Sequence, residues 1–113
     1  MSAFRVLAID HIVLRCKDLD AMLGFYCGTL GFEVAKRNEP LALVHVRSGN
    51  ALIDLVALVG PLGRSGGAAP GAEGRNLDHL CLRVDPFEPS AFMRHFESLG
   101  LAPAELRTRF GGE

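Results

Sequence analysis

Little in this chain points to a membrane, to nucleic acid or to an oxidising compartment. It has three cysteines, Cys16, Cys27 and Cys81, an odd number with no CxxC pair among them. No secretory signal opens the sequence, so they read as free thiols in a reducing, cytoplasmic setting. A net charge of −1 leaves no basic footprint for nucleic acid and no attraction to an anionic membrane surface. The first apolar run is interrupted by Asp10, His11 and Arg15, and no run reaches membrane-spanning length. Glycines are frequent, but none form a GxGxxG or P-loop pattern after a strand, which argues against a nucleotide. At 113 residues the chain makes one domain with a modest core, burying roughly 65% of its unfolded surface.

What is present is a repeat. Residues 9–15 read Ile-Asp-His-Ile-Val-Leu-Arg and residues 77–83 read Leu-Asp-His-Leu-Cys-Leu-Arg. Asp10 falls on Asp78, His11 on His79 and Arg15 on Arg83. Further on, Leu30-Gly31-Phe32 matches Leu99-Gly100-Leu101 with a one-residue slip. A duplicated module with a histidine at the same place in each copy can bring two imidazoles together at a pseudo-twofold axis. Two imidazoles are half of a transition-metal site.

The local patterns fill in each copy. Residues 4–16 alternate as a strand, with His11, Val13 and Arg15 on one face and Ile12, Leu14 and Cys16 on the greasier face that a helix should cover. Asp18 can cap a helix whose buried stripe is Leu19, Met22, Leu23, Tyr26 and Leu30, with Gly31 as its left-handed terminator. Strands follow at 32–36, 41–47 and 52–58, the last two joined by a hairpin turn at Ser48-Gly49-Asn50. Residues 60–76 hold six glycines and two prolines and read as a linker or mobile loop able to close over a site. The pattern then restarts with a strand at 77–85, a helix at about 89–99 presenting Phe92, Phe96 and Leu99, and a strand at 104–109. A second copy would need two further strands, so the sequence reads as a truncated pair of modules.

Asp10-His11-Ile12-Val13-Leu14, Phe25-Tyr26, Leu30-Gly31-Phe32, Leu52-Ile53-Asp54-Leu55 and Asp78-His79-Leu80, taken in this order, resemble the vicinal oxygen chelate superfamily, the glyoxalase, fosfomycin-resistance and bleomycin-resistance group. The resemblance implies an α+β fold of two repeated βαβββ modules whose strands form a cup-shaped mixed sheet. Here module 1 spans about 4–59, the linker 60–76, and an incomplete module 2 spans 77–113. It also implies one divalent metal (Zn, Ni, Mn, Fe or Co) held by a histidine on the first strand of each module, His11 and His79. Asp54 matches the first-module carboxylate position. The second-module carboxylate has no counterpart before residue 113.

The residues themselves support that reading in part. Two histidines and a carboxylate leave positions open for a substrate, as a Lewis-acid or oxygen-activating site requires. Asp54 lies between Leu52 and Val56 on one strand face, where an ionised carboxylate is costly unless paired or metal-bound. It is expected to be a ligand, an orienting partner or a catalytic base. Arg15 and Arg83 share the face of each histidine and are candidates for binding a substrate carboxylate or phosphonate, or for an internal salt bridge. His45, beside Leu43 and Arg47, lines the cup or sits outside it. Cys81 reads as a small apolar group.

The expected function is a glyoxalase-like, metal-dependent enzyme of isomerase or lyase type, acting on a small oxygenated metabolite that chelates the metal with two oxygens. The alternatives are a metal-free drug-binding protein and a mononuclear iron dioxygenase. A homodimer is expected, because open strand edges invite pairing.

Overall fold

The computed structural model describes residues 3–102. The chain divides into two compact units, one ending at His79 and one beginning at Leu80. In the first unit four strands, β1 (His11–Cys16), β2 (Glu33–Asn38), β3 (Leu43–Ser48) and β4 (Ala51–Ala57), form one sheet in the order β1-β4-β3-β2. β1 and β4 run parallel; the other two pairings are antiparallel. Such a sheet needs one crossover and two hairpins, and the single helical segment between β1 and β2 supplies the crossover.

That segment begins as α1 (Leu19–Leu23), capped by the Asp18 carboxylate, which accepts from the Ala21 N–H at 3.0 Å. It widens into a π-helical stretch, Gly24–Thr29, where the Leu30 N–H reaches back to the Phe25 carbonyl. The widened turn carries the buried Tyr26, whose ring meets both Phe25 and Phe32. Gly31 ends the helix at φ 79°, a conformation that costs any residue with a Cβ. The core lies on the sheet face carrying Leu14, Cys16, Val44, Val46, Ile53, Leu55 and Ala57, all buried. This is the greasy face of β1 that strand alternation assigns to a helix.

The β3–β4 hairpin turns through Gly49 and Asn50, with Ser48 opposite Ala51 and Gly49 at φ 59°. The outer strand β2 is exposed, charged and bulged between Val34 and Lys36, which blunts it as an edge.

Three expectations change. The first strand starts at His11 rather than at residue 4, because the first ladder bond is Leu52 N–H to the Asp10 carbonyl and the residues before it have no ladder partner among the described residues. The third strand starts at Leu43 rather than Leu41. Asn38 caps a 3₁₀ turn at Glu39–Leu41, and Ala42 takes a left-handed conformation at φ 50°. The strand expected at 77–85 does not form, since these residues have no ladder partner among the described residues.

The 60–76 segment includes one helical turn that the sequence reading does not anticipate. A short helix, α2 (Pro61–Arg64), sits against the end of β4, and a Cβ on Gly63 would lie 2.1 Å from the Ala57 carbonyl oxygen.

The second unit contains α3 (Pro89–Ser98), where the sequence expects a helix. Glu88 caps it, accepting from the Ser90 and Ala91 N–H groups. Gly100 closes it at φ 76° with a paired return of N–H bonds, Gly100 to Glu97 and Leu101 to Phe96. Phe92 packs between Phe87 and Phe96. The strand expected at 104–109 lies outside the described residues.

Candidate metal and substrate site

The sheet face opposite the helix gathers the chemistry. Parallel pairing sets Val13 beside Asp54, and antiparallel pairing sets His45 opposite Asp54, so residues from β1, β3 and β4 meet on one side. Asp54 is 5% exposed, the one buried charged residue of the described chain. Its Oδ1 accepts a hydrogen bond from His45 Nδ1 at 2.6 Å, and its Oδ2 lies 3.9 Å from His11 Nε2. Among the described residues no buried side-chain N or O lacks a partner.

His11 is half exposed and is fixed from its other side. Its Nδ1 is 2.7 Å from Asp10 Oδ1, which assigns the proton to Nδ1 and leaves the Nε2 lone pair toward Asp54. Its pKa is raised above the usual imidazole range, first by this hydrogen bond and then by the charge of Asp54. His79 repeats the local arrangement, Nδ1 to Asp78 Oδ1 at 2.7 Å, but its side chain is 79% exposed. The repeated Asp-His pair thus sets the same tautomer in both copies.

Of the expected site residues, the structure brings His11 and Asp54 together and adds His45. Alternation within one strand leaves open which side of the sheet His45 looks toward. The signal lay in the hairpin: counting three residues along each strand from the Ser48–Ala51 pair that closes the turn sets His45 against Asp54.

Arg15 is engaged by the glycine-rich segment. Its guanidinium donates to the Gly67 and Ala68 carbonyls at 3.2 and 2.8 Å, and Asn76 Nδ2 donates to the Arg15 carbonyl. An open cleft of about 400 Å³ lies here, lined by Val13, Arg15, Pro70, Arg75 and Asn76 among others. Arg83 is exposed and belongs to the second unit. Cys81 is an exposed free thiol, and burial pushes the Cys16 thiol up, away from nucleophilic use.

No group of three or more His, Cys, Asp or Glu side chains among the described residues is arranged to hold a metal. The donor chemistry of His11 and Asp54 nevertheless fits part of one. Metal–N and metal–O bonds of about 2.0–2.2 Å put two ligands of one ion roughly 3–3.5 Å apart, about 0.4–0.9 Å inside the observed 3.9 Å separation.

An open mixed sheet built on a β-α-β-β-β unit, with an imidazole and a carboxylate on the face opposite its helix, defines one module of the vicinal oxygen chelate class. The chain belongs to the Glyoxalase/Bleomycin resistance protein/Dioxygenase superfamily, whose family model matches residues 8–107. No curated protein matches it. Among solved structures it is similar to an integron cassette protein from the mobile metagenome of V. cholerae, with 23% identity, a TM-score of 0.69, and coverage of 98% of this chain and 84% of that one. It is also similar to a lactoylglutathione lyase from Agrobacterium tumefaciens, with 24% identity, a TM-score of 0.67, and coverage of 96% and 81%. These likenesses concern the fold. No helix among the described residues is long and apolar enough to cross a membrane.

Proposed function

We propose that the chain is a glyoxalase-like, metal-dependent enzyme of isomerase or lyase type, acting on a small oxygenated metabolite. The observation that carries this reading is the approach of His11 Nε2 to Asp54 Oδ2 at 3.9 Å, with the His11 proton held on the far nitrogen. His11, Asp54 and His79 would hold a divalent ion, and the Asp78 contact leaves His79 Nε2 free to bind. The ion would supply Lewis-acid polarisation of two neighbouring substrate oxygens. Asp10 keeps His11 in the ligating tautomer, and Asp54 either binds the ion or accepts a proton from substrate. Arg15, in the cleft beside Val13, would receive an anionic group of the substrate after exchanging its carbonyl partners, with Arg83 in the same role on the other module. The outer edge of β1 supports a homodimer, since β4 is its only ladder partner among the described residues.

A second reading has one observation of its own. Because His45 satisfies the buried Asp54 without an ion, a metal-free binding protein is the alternative.

Elemental analysis of the purified chain and of its His11→Ala and His79→Ala variants separates the two. The expected result is about one divalent ion per chain, lost in both variants. A folded protein that holds none would end the metalloenzyme reading and favour the binding protein.

A further inference from the structure

We infer that His45 is a positioning residue of the site: it holds the Asp54 carboxylate so that Oδ2 faces His11 Nε2. This rests on the metal reading above and deepens it, because it adds a residue from β3 to a site otherwise drawn from β1, β4 and the His79 segment.

The argument is geometric. A carboxylate on a strand can rotate about its last bond, and each rotation changes which oxygen faces the neighbouring strand. Asp54 is held on the β3 side by the 2.6 Å bond from His45 Nδ1 to Oδ1. The other oxygen is thereby turned to the β1 side, toward His11 Nε2. His45 is itself fixed, because it sits directly opposite Asp54 in the β3–β4 register, between the buried Val44 and Val46. Replacing it leaves a buried carboxylate with one oxygen unpartnered, and the carboxylate is then free to turn. Partners that orient a ligand in this way typically alter metal affinity by about 10–100-fold when removed.

The test uses the whole chain with Co²⁺ as probe, reading affinity and the visible spectrum of the bound ion. His45→Leu keeps similar bulk and removes the donor; His45→Asn places an amide N–H near the position of Nδ1. His45→Leu is expected to bind Co²⁺ about 10–100-fold more weakly with an altered spectrum, and His45→Asn to recover most of the affinity. Equal affinity in wild type and folded His45→Leu overturns the inference, as does an asparagine variant no better than leucine.

If the wild-type chain takes up no Co²⁺, the metal reading fails by itself, and ¹⁵N spectra of the histidine rings then decide the role of His45. The inference requires the Nδ1–H form of His45 and a displaced His11 ring signal in His45→Asn or His45→Leu. An Nε2–H form, or an unmoved His11 signal, overturns it. The wild-type spectrum needs no variant to fold.

Discussion

Residues 9–15 and 77–83 spell nearly the same run, yet only the first becomes a strand. What they share is local: in each, the aspartate grips Nδ1 of the following histidine at 2.7 Å, a contact between sequence neighbours that needs no fold. What differs comes from elsewhere. β4 supplies a ladder for residues 11–16, whereas no described strand runs beside residues 77–84. The helix ends, by contrast, agree, because a left-handed glycine is also a local device: Gly31 at φ 79° and Gly100 at φ 76°. Sequence repetition therefore reproduces caps and tautomers but not strands.

The sharpest way to break this comparison is at its core positions. Leu14 is 6% exposed, while its counterpart Leu82 is only half-buried. Leu14→Ala is expected to cost about 2–5 kcal/mol in urea unfolding. Leu82→Ala should cost less than about 1 kcal/mol. Equal losses would show that the second run packs as tightly as the first.

Where the copies agree, their variants should agree as well. Gly31→Ala and Gly100→Ala each force a Cβ into a left-handed backbone and are expected to cost about 1–2 kcal/mol apiece. Thermal unfolding of the two variants checks this, and a large disparity would mean that one cap is incidental.

The smallest effect concerns the Asp-His pair. His11 titrates above its ordinary value of 6.5, chiefly through Asp10. A raised folded-state value means that this histidine contributes stability below pH 6.5 and loses that contribution as pH rises through the folded value. Asp10→Asn should move the His11 NMR titration down toward 6.5 without reaching it, because the charge of Asp54 remains. A midpoint unchanged in Asp10→Asn would remove Asp10 from the site.

The first module was largely readable from its residues. The stripe from Leu19 to Leu30, the capping Asp18 and the terminating Gly31 announce a helix through side-chain periodicity and backbone preference. That His11 and Asp54 belong together was legible only through the family resemblance, because alternation within each strand leaves the register between β1 and β4 open. The widening of the helix at Gly24–Thr29 was not readable, because a side-chain stripe announces a helix without fixing whether its bonds reach back four or five residues. Nor was the clasp of Arg15 on the Gly67 and Ala68 carbonyls, a bond between side chain and backbone across 52 and 53 residues that leaves no mark in a local pattern.

The hairpin joining β3 and β4 has a consequence in chain entropy. His45 and Asp54 are nine residues apart, whereas His11 stands 43 positions before Asp54. Closing the longer loop costs roughly 1.4 kcal/mol more on the logarithmic scaling of flexible chains. The contact of the carboxylate with His45 is therefore the less costly of the two in chain entropy. A charge that would resist burial alone is hydrogen-bonded within a short hairpin, and the parallel strand that carries His11 adds to a face whose carboxylate already has a partner.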